Sequence, residues 1–327
     1  MTKKVMTDRT TNEGERIAKV IARAGLASRR QAEAWIAAGR VSVNGAIIAS
    51  PALNVTRRDR ITIDGAALPR RARTRLFLYH KPRGLMTTHA DPQGRDTIFR
   101  ALPKHLPRLI SVGRLDINTE GLLLLTNDGG LARLLELPAT GWLRRYRVRA
   151  LGRVTQERLD RLRQGVTIEG MRYGAIEATL DREQGANVWL TFAIREGKNR
   201  EVRKVLESLG LKVNRLIRVS YGPFELGEIA DGAVAEVATD ELRKILGPEI
   251  ARQAEADFDS PLEDEASPRH PEVREPRKTA GKAGAAAIRR PREAPAQSDK
   301  EKPRGGYINR KKRRHDRSGG PRPSRPK

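Results

Sequence analysis

The stretch GRLDINTEGLLLLTNDG, residues 113–129, contains two features that decide how the centre of the chain folds. Its later part, LLLLT at 122–126, is a short continuous apolar run of the kind that forms a buried strand. A second apolar segment, LISV at 109–112, runs directly into the earlier part. That earlier part places Arg114 and Asp116 on a segment rich in turn-forming residues. A charged loop between two apolar strands is a candidate site.

Strand and helix patterns continue on both sides of this stretch, from residue 76 to residue 248. Strand-like runs alternate with segments in which apolar residues recur at helical spacing. We expect strands at LFLYH, LISV, LLLLT, WLRRYRVRAL, NVWLTFAI and RLIRVSYG, and helices at 129–137, 155–164, 199–209 and 239–246. The pattern predicts an α+β domain with a mixed, mainly antiparallel sheet.

A separate, smaller module is predicted at residues 15–68. Two short helical patterns are divided by Gly25, and Ser28 followed by Gln31 has the form of a capping box for the second. Asn44-Gly45 between two apolar runs is a strong signal for a tight hairpin. The module therefore consists of two helices followed by a β-hairpin.

Three segments lack any periodic apolar pattern. The charged stretch at 69–75 is expected to be a linker, and residues 1–14 a flexible N-terminus. Of the 19 prolines, 10 lie beyond residue 250, together with basic blocks such as NRKKRRHDR. This composition predicts a disordered, Pro-rich basic tail at 249–327.

The charge balance points to a polyanionic partner. Lys and Arg number 65 against 40 Asp and Glu, which gives a formal charge of +25. Nucleic acid is the leading candidate and an anionic membrane the second. No apolar run reaches the roughly 18–20 residues that span a bilayer, and no secretory signal is evident, so a soluble, cytoplasmic protein is expected.

Metal and cofactor chemistry find no support in the sequence. The chain has no Cys, and its five His show no paired-ligand spacing. Neither a GxGxxG nor a GxxxxGK[ST] string is present. We therefore expect no metal and no cofactor, and the chemistry is expected to come from side chains.

The string ERIAKVIARAGLASRRQAEAWIAAGRVSVNG at 15–45 resembles the S4 RNA-binding domain. The resemblance implies a structured RNA as partner, but it implies no particular reaction. A plain solvated helical face is the alternative for the basic residues of this module. The residues expected to contact RNA here are Arg16, Lys19, Arg29, Arg30 and Arg40.

Three strings spread over about 90 residues resemble the RsuA/RluB family of ribosomal RNA pseudouridine synthases. In GRLDINTEG the resemblance makes Asp116 the nucleophile, and in WLRRYRV it makes Tyr146 the active-site tyrosine. In EGKNREVRKV it makes Arg203 the partner of the aspartate. Taken singly, Asp116 could instead cap a turn, Tyr146 could pack in the sheet, and Arg203 could lie on a solvated helix. The family's KPxG element also occurs, as KPRGLMTT at 81–88.

The resemblance is best to the members that act on the large ribosomal subunit, the RluB group. It implies isomerisation of a uridine in 23S ribosomal RNA. We also expect a monomer, and further RNA contacts from Arg114, Lys198 and Arg200. Two alternatives remain open. The same chemistry could act on 16S ribosomal RNA, or the chain could be a noncatalytic S4-type ribosome-assembly factor.

Overall fold

The computed structural model describes residues 14–262. The expected flexible N-terminus, apart from residue 14, and the expected tail from residue 263 onward lie outside the described residues. Among those described, no helix is both long and apolar enough to cross a membrane.

The N-terminal module forms as its sequence predicts. The Ser28 hydroxyl accepts from the Gln31 amide while the Gln31 side chain accepts from the Ser28 amide, so the capping box is present. Asn44 and Gly45 have φ values of 51° and 85°, the left-handed pair that a tight hairpin turn requires. The elements are β1 (Glu15–Arg16), α1 (Ile17–Arg23), α2 (Arg29–Ala37), β2 (Val41–Val43), β3 (Ala46–Ile47), β4 (Asn54–Val55), β5 (Ile61–Ile63) and β6 (Ala66–Ala67).

The larger domain is built on one nine-stranded sheet. Its strands run in the order β13-β14-β10-β15-β9-β7-β17, with β16 paired to β15 and β8 to β9. Only β9 and β15 pair in parallel, and the other pairs of this sheet are antiparallel. The expected α+β fold with a mixed, mainly antiparallel sheet is confirmed.

The elements of this domain follow in chain order. They are β7 (Leu76–Lys81), α3 (Ile98–Ala101), β8 (Ile110–Ser111), β9 (Glu120–Thr126), α4 (Gly129–Glu136), β10 (Arg144–Leu151), α5 (Gln156–Asp160), β11 (Val166–Ile168), β12 (Met171–Tyr173), β13 (Ile176–Gln184), β14 (Asn187–Ile194), α6 (Glu201–Ser208), β15 (Lys212–Tyr221), β16 (Phe224–Glu225), β17 (Val234–Glu236) and α7 (Thr239–Ala254). Two short 3-10 helices lie at Pro138–Thr140 and Arg161–Gln164.

The apolar run of β9 is buried on both faces of the sheet. Leu123 and Leu125 enter a core that includes residues of α5 and α6. Leu122 and Leu124 enter a second core that includes residues of α4 and α7. A continuous apolar strand, rather than an alternating one, is what burial on both faces requires.

Two expected boundaries differ from the structure. The helix predicted at 155–164 consists of α5 followed by a 3-10 turn. The helix predicted to end at 246 continues to Ala254 across a kink at Gly247, because Pro248 needs no backbone donor in a first helical turn. Residues 249–262, assigned to the disordered tail, are therefore ordered.

The predicted linker at 69–75 is bonded to this extension. The Thr74 amide donates to Asp257 O at 2.6 Å, and the Arg73 amide donates to Pro261 O at 3.2 Å. Phe258 joins the core beneath α4 and α7. The segment lacks an apolar period because hydrogen bonds from its backbone and from the Arg71, Arg73 and Thr74 side chains, rather than apolar packing, hold it in place.

Candidate active site

Asp116 lies on the tight loop between β8 and β9. The Thr119 amide donates to the backbone oxygen of Asp116 at 2.9 Å and closes the turn. Within residues 14–262 the Asp116 carboxylate accepts no hydrogen bond from this loop, and its contacts are two arginine side chains. The turn-capping alternative for Asp116 therefore has no support in the geometry.

Residues of the KPRGLMTT segment hold the Asp116 loop in place through hydrogen bonds. Lys81 is fully buried, and its ammonium donates to Thr119 O at 3.0 Å and to Pro82 O at 2.9 Å. The Gly84 amide donates to Ile117 O at 2.7 Å. The Thr87 hydroxyl donates to Leu115 O at 2.9 Å. The loop is thus fixed on both sides of Asp116 before any substrate binds.

Burial lowers the pKa of Lys81 to about 8, and the negative charges of Asp116 and Glu120 oppose that shift. At neutral pH the ammonium therefore remains the predominant form. A charged group with three donors suits a position surrounded by backbone carbonyls.

Two guanidinium groups flank the Asp116 carboxylate. Arg203 Nε lies 4.0 Å and Arg200 Nη1 lies 3.6 Å from Asp116 Oδ2. The sequence resemblance assigned this role to Arg203 and an RNA contact to Arg200, yet Arg200 is the nearer of the two. Arg203 is held by more contacts, because it is buried and its Nη2 donates to Asn118 O at 3.0 Å.

The two arginines differ in their surroundings. Burial lowers the pKa of Arg203, and the nearby charge of Arg200 adds to that effect. Arg200 is exposed and has a left-handed backbone, φ 51°, just before α6 begins. This backbone turn directs its side chain back toward Asp116, which the sequence pattern of α6 does not reveal.

Tyr146 lies on β10 and lines the same cavity as Asp116. Its ring is buried in the core of the sheet, so sheet packing is part of its role. No hydrogen bond to its hydroxyl is found among the described residues. An aromatic ring at the wall of a cavity remains available for stacking.

The cavity in front of Asp116 has a volume of about 1730 Å³ and is bordered by both the module and the larger domain. The start of α2 contributes Ser28, Arg29, Arg30 and Gln31. Among the other residues expected to contact RNA, Arg114, Lys198 and Arg200 also line it.

Arg16, Lys19 and Arg40 do not line the cavity. Lys19 is paired with Glu15, and Arg40 with Asp64 at 2.5 Å. Within residues 14–262 no group of three or more acidic or histidine side chains could hold a metal ion.

Comparison with known proteins agrees with this arrangement. Residues 75–208 match the family model described as RNA pseudouridylate synthase, and residues 15–61 match the S4 domain. An RNA pseudouridine synthase of Rickettsia felis is 44% identical over 230 residues, which are 70% of this chain and 100% of that protein. The chain belongs to the RNA pseudouridine synthase family. The resemblance noted in the sequence is thereby confirmed, and the enzyme is an isomerase.

Two further pseudouridine synthases are similar to this chain. Ribosomal large subunit pseudouridine synthase B of Pseudomonas aeruginosa is 44% identical over 245 residues, which are 72% of this chain and 63% of that protein. A crystal structure of a pseudouridylate synthase matches 70% of this chain and 99% of that one, at 28% identity and a TM-score of 0.49.

The second glycine of the synthase's GRLDINTEG string is required by a close backbone approach. Gly121 has φ 99°, and a Cβ at this position would lie 2.3 Å from Arg218 O. This contact occurs where β9 and β15 pair in parallel. Gly121 therefore allows β15 to lie against the strand that follows the Asp116 loop.

The sequence did not predict that His89 and Phe99 line the synthase's cavity. His89 and Phe99 stack with ring centroids 3.6 Å apart and an interplanar angle of 8°. Desolvation and, second, the charge of Arg108 lower the pKa of His89 to about 4. His89 lies in the loop before α3, and Phe99 lies on this four-residue helix. No periodic pattern could have indicated their contact.

Proposed function

We propose that this synthase isomerises one specific uridine of 23S ribosomal RNA to pseudouridine, with Asp116 as the nucleophile. The observation that supports this most is the Asp116 carboxylate, which is held on a fixed loop between two guanidinium groups and faces a cavity that the S4 module borders. The similarity to the large-subunit synthase of Pseudomonas aeruginosa favours the large-subunit RNA as substrate.

The reactive atoms of a uridine face inward in a stacked helix, so the enzyme must extrude the nucleotide into this cavity. Tyr146 is the proposed platform for the extruded uracil. Aromatic stacking contributes about 1–3 kcal/mol per base, which offsets part of the cost of unstacking. The arginines at the start of α2 are proposed to hold the flanking phosphates.

The nucleophile must be ionised when the base covers it. Removing water from a carboxylate disfavours its charged form, and a neighbouring guanidinium favours it. Arg203 is proposed to supply this stabilisation at every stage, because its position is fixed by Asn118 O. Arg200 is proposed to exchange between Asp116 and an RNA phosphate, since its side chain is partly exposed.

The reaction breaks the bond between C1′ and N1 of uracil and forms one between C1′ and C5. The C5 proton leaves and N1 gains a proton, so substrate and product are isomers. Asp116 could attack C1′, attack C6, or deprotonate the sugar, and all three routes use the same carboxylate. No redox equivalent is consumed in any of them, in keeping with the expectation that no cofactor is used.

The remaining RNA contacts are proposed in two groups. Arg29, Arg30, Arg114 and Lys198 would contact the RNA within the cavity. Arg16, Lys19 and Arg40 would contact it on the outer side of the S4 module, which requires Lys19 and Arg40 to exchange their carboxylate partners for phosphate. We further propose that the enzyme is a cytoplasmic monomer that acts on ribosomal RNA, free or within an assembling large subunit.

Pseudouridine mapping of 23S and 16S ribosomal RNA from cells with and without the gene tests the target. We expect one 23S signal to disappear with the gene. Loss of a 16S signal instead would overturn the large-subunit assignment. Unchanged maps for both RNAs would favour a noncatalytic assembly factor.

A further inference from the structure

Within residues 14–262, no helix packs on one half of the sheet's second face. On this face α4 and α7 pack over the leucines of β7 and β9. The strands β10, β14 and β13 lie at the other end of the sheet. Along β10, buried and more exposed residues alternate, so Arg145, Arg147 and Arg149 lie on the face opposite to Tyr146 and Val148.

On this half of the sheet, two arginine guanidinium groups lie over the ring of a tryptophan. The guanidinium of Arg147 lies 5.2 Å and that of Arg182 lies 5.7 Å from the centre of the Trp189 ring. Trp189 on β14 is also the strand partner of both Arg149 and Arg182. We call Arg145, Arg147, Arg149, Arg182 and Trp189 the arginine–tryptophan surface.

The charges of this surface are not balanced within the described chain. In residues 14–262, none of its four arginines has an ion pair or a side-chain hydrogen bond to another residue. Arg149 Nε and Trp189 Nε1 are buried donors without a hydrogen-bond partner. Of the acids on β13, Asp181 accepts from Thr191 at 3.0 Å and Glu183 pairs with Arg153 at 3.7 Å. Glu177 lies in the same cross-strand row as Arg145, with Ala193 between them, and forms no ion pair within residues 14–262, so the four arginines remain in excess on this face.

We propose that the arginine–tryptophan surface binds the phosphate backbone of a second segment of the RNA substrate, outside the catalytic cavity. A guanidinium presents several donors in a planar fork that matches a phosphate. Stacking on Trp189 restricts two of these side chains in advance, which lowers the entropy lost on binding. The proposal rests on the RNA substrate proposed above, and it does not depend on which ribosomal subunit supplies it.

The cavity and the arginine–tryptophan surface lie on opposite faces of one sheet. Tyr146 faces the cavity, and its neighbours Arg145 and Arg147 face away from it. RNA that reaches both places must pass around an edge of the sheet or around the ends of its strands. We therefore expect a long folded RNA to contact both places, and a short hairpin bound in the cavity to contact the cavity alone.

A triple variant of the full-length protein, R145Q/R147Q/R182Q, tests the proposal because all three side chains are exposed. The matched control is R158Q/R161Q/R163Q, which removes three exposed arginines of α5 and the following 3-10 turn. Affinity is measured against salt for 23S and 16S transcripts and for a hairpin of about 30 nucleotides around the mapped uridine. Thermal unfolding of both variants confirms that they are folded.

We expect the surface variant to bind the long substrate RNA roughly tenfold more weakly at physiological salt, and its salt slope to fall by about one per arginine. Affinity for the hairpin and the single-turnover rate at saturating RNA should stay at wild-type values. The control should lose far less affinity for the long RNA.

Equal losses for the two triple variants would overturn the proposal, because the effect would then be one of net charge. Unchanged RNA binding combined with lost binding to vesicles of anionic lipid would overturn it in favour of a membrane contact. Failure of the 23S assignment would have a different result, because the wild-type enzyme would then modify the 16S transcript. The comparison of the two triple variants would remain valid in that case.

Discussion

At the scale of single residues, we propose different roles for the two arginines that flank Asp116. Arg203 is buried and bonded to Asn118 O, whereas Arg200 is exposed and comes closer to the carboxylate. A fixed cation can stabilise charge during the reaction without reorganising, while a mobile one is better suited to binding substrate.

Arg203→Gln should therefore lower the single-turnover rate by about 10²–10³-fold, the usual effect of losing one fixed electrostatic contact. Arg200→Gln should mainly raise KM, with less than about a tenfold change in that rate. Single-turnover kinetics over a range of RNA concentrations separates the two effects. Equal rate losses for the two variants would contradict the division of roles.

Lys81 provides a second test at this scale. Lys81→Met keeps the side-chain volume and removes the donors that Thr119 O and Pro82 O accept from. Burying unsatisfied carbonyls costs about 1–3 kcal/mol each, so the free energy of unfolding should fall by that order. Arg83→Met, an exposed change in the same segment, is the control for chemical denaturation. Equal stability of the two variants would refute the role of Lys81.

The sequence predicted which residues come together at the site better than how they are arranged there. The GRLD string led to Asp116, and the structure places Asp116, Tyr146 and Arg203 around one cavity. The proximity of Arg200 depends on one left-handed backbone residue, and that of His89 and Phe99 on the path of a loop. Neither depends on a periodic pattern, so neither could be predicted.

At the scale of elements, the helices and strands with strong periodicity formed where the sequence placed them. The capping box of α2 and the Asn44-Gly45 turn follow from local chemistry alone, so they could be predicted. The extension of α7 could not be predicted in this way. Gly247-Pro248 is a local stop signal, and burial of Ala254 and Phe258 beyond it is a tertiary effect.

Residues 249–262, which extend α7 and continue past its end, should contribute measurably to stability. Phe258 is buried in the core that α4 and α7 share, so Phe258→Ala should lower the free energy of unfolding by about 3 kcal/mol. Met171→Ala, at a side chain that is 50% exposed, should change it by less than about 0.5 kcal/mol. Chemical denaturation measures both. If Phe258→Ala lowered the free energy of unfolding as little as the control does, residues 249–262 would not be part of the core.

At the scale of the described chain, residues 14–262, the S4 module and the synthase domain border one cavity. Glu255, just after α7, bonds Arg23 of the module at 3.0 Å, and its backbone oxygen accepts from Arg71 of the connecting segment at 2.6 Å. These contacts join residues more than 180 positions apart in the sequence. No local pattern predicts such a pairing, although composition and motif order correctly predicted two modules and an RNA partner.

The central claim is that Asp116 performs the isomerisation, and one measurement tests it most directly. Pseudouridine is mapped in ribosomal RNA from cells that lack the native gene and make either the wild-type protein or Asp116→Asn at equal abundance. The substitution keeps the shape of the side chain, and RNA affinity measured in parallel shows whether the site is intact. We predict that one 23S signal present with the wild type is absent with the variant, while RNA affinity is retained. An unchanged signal with the variant would contradict the account.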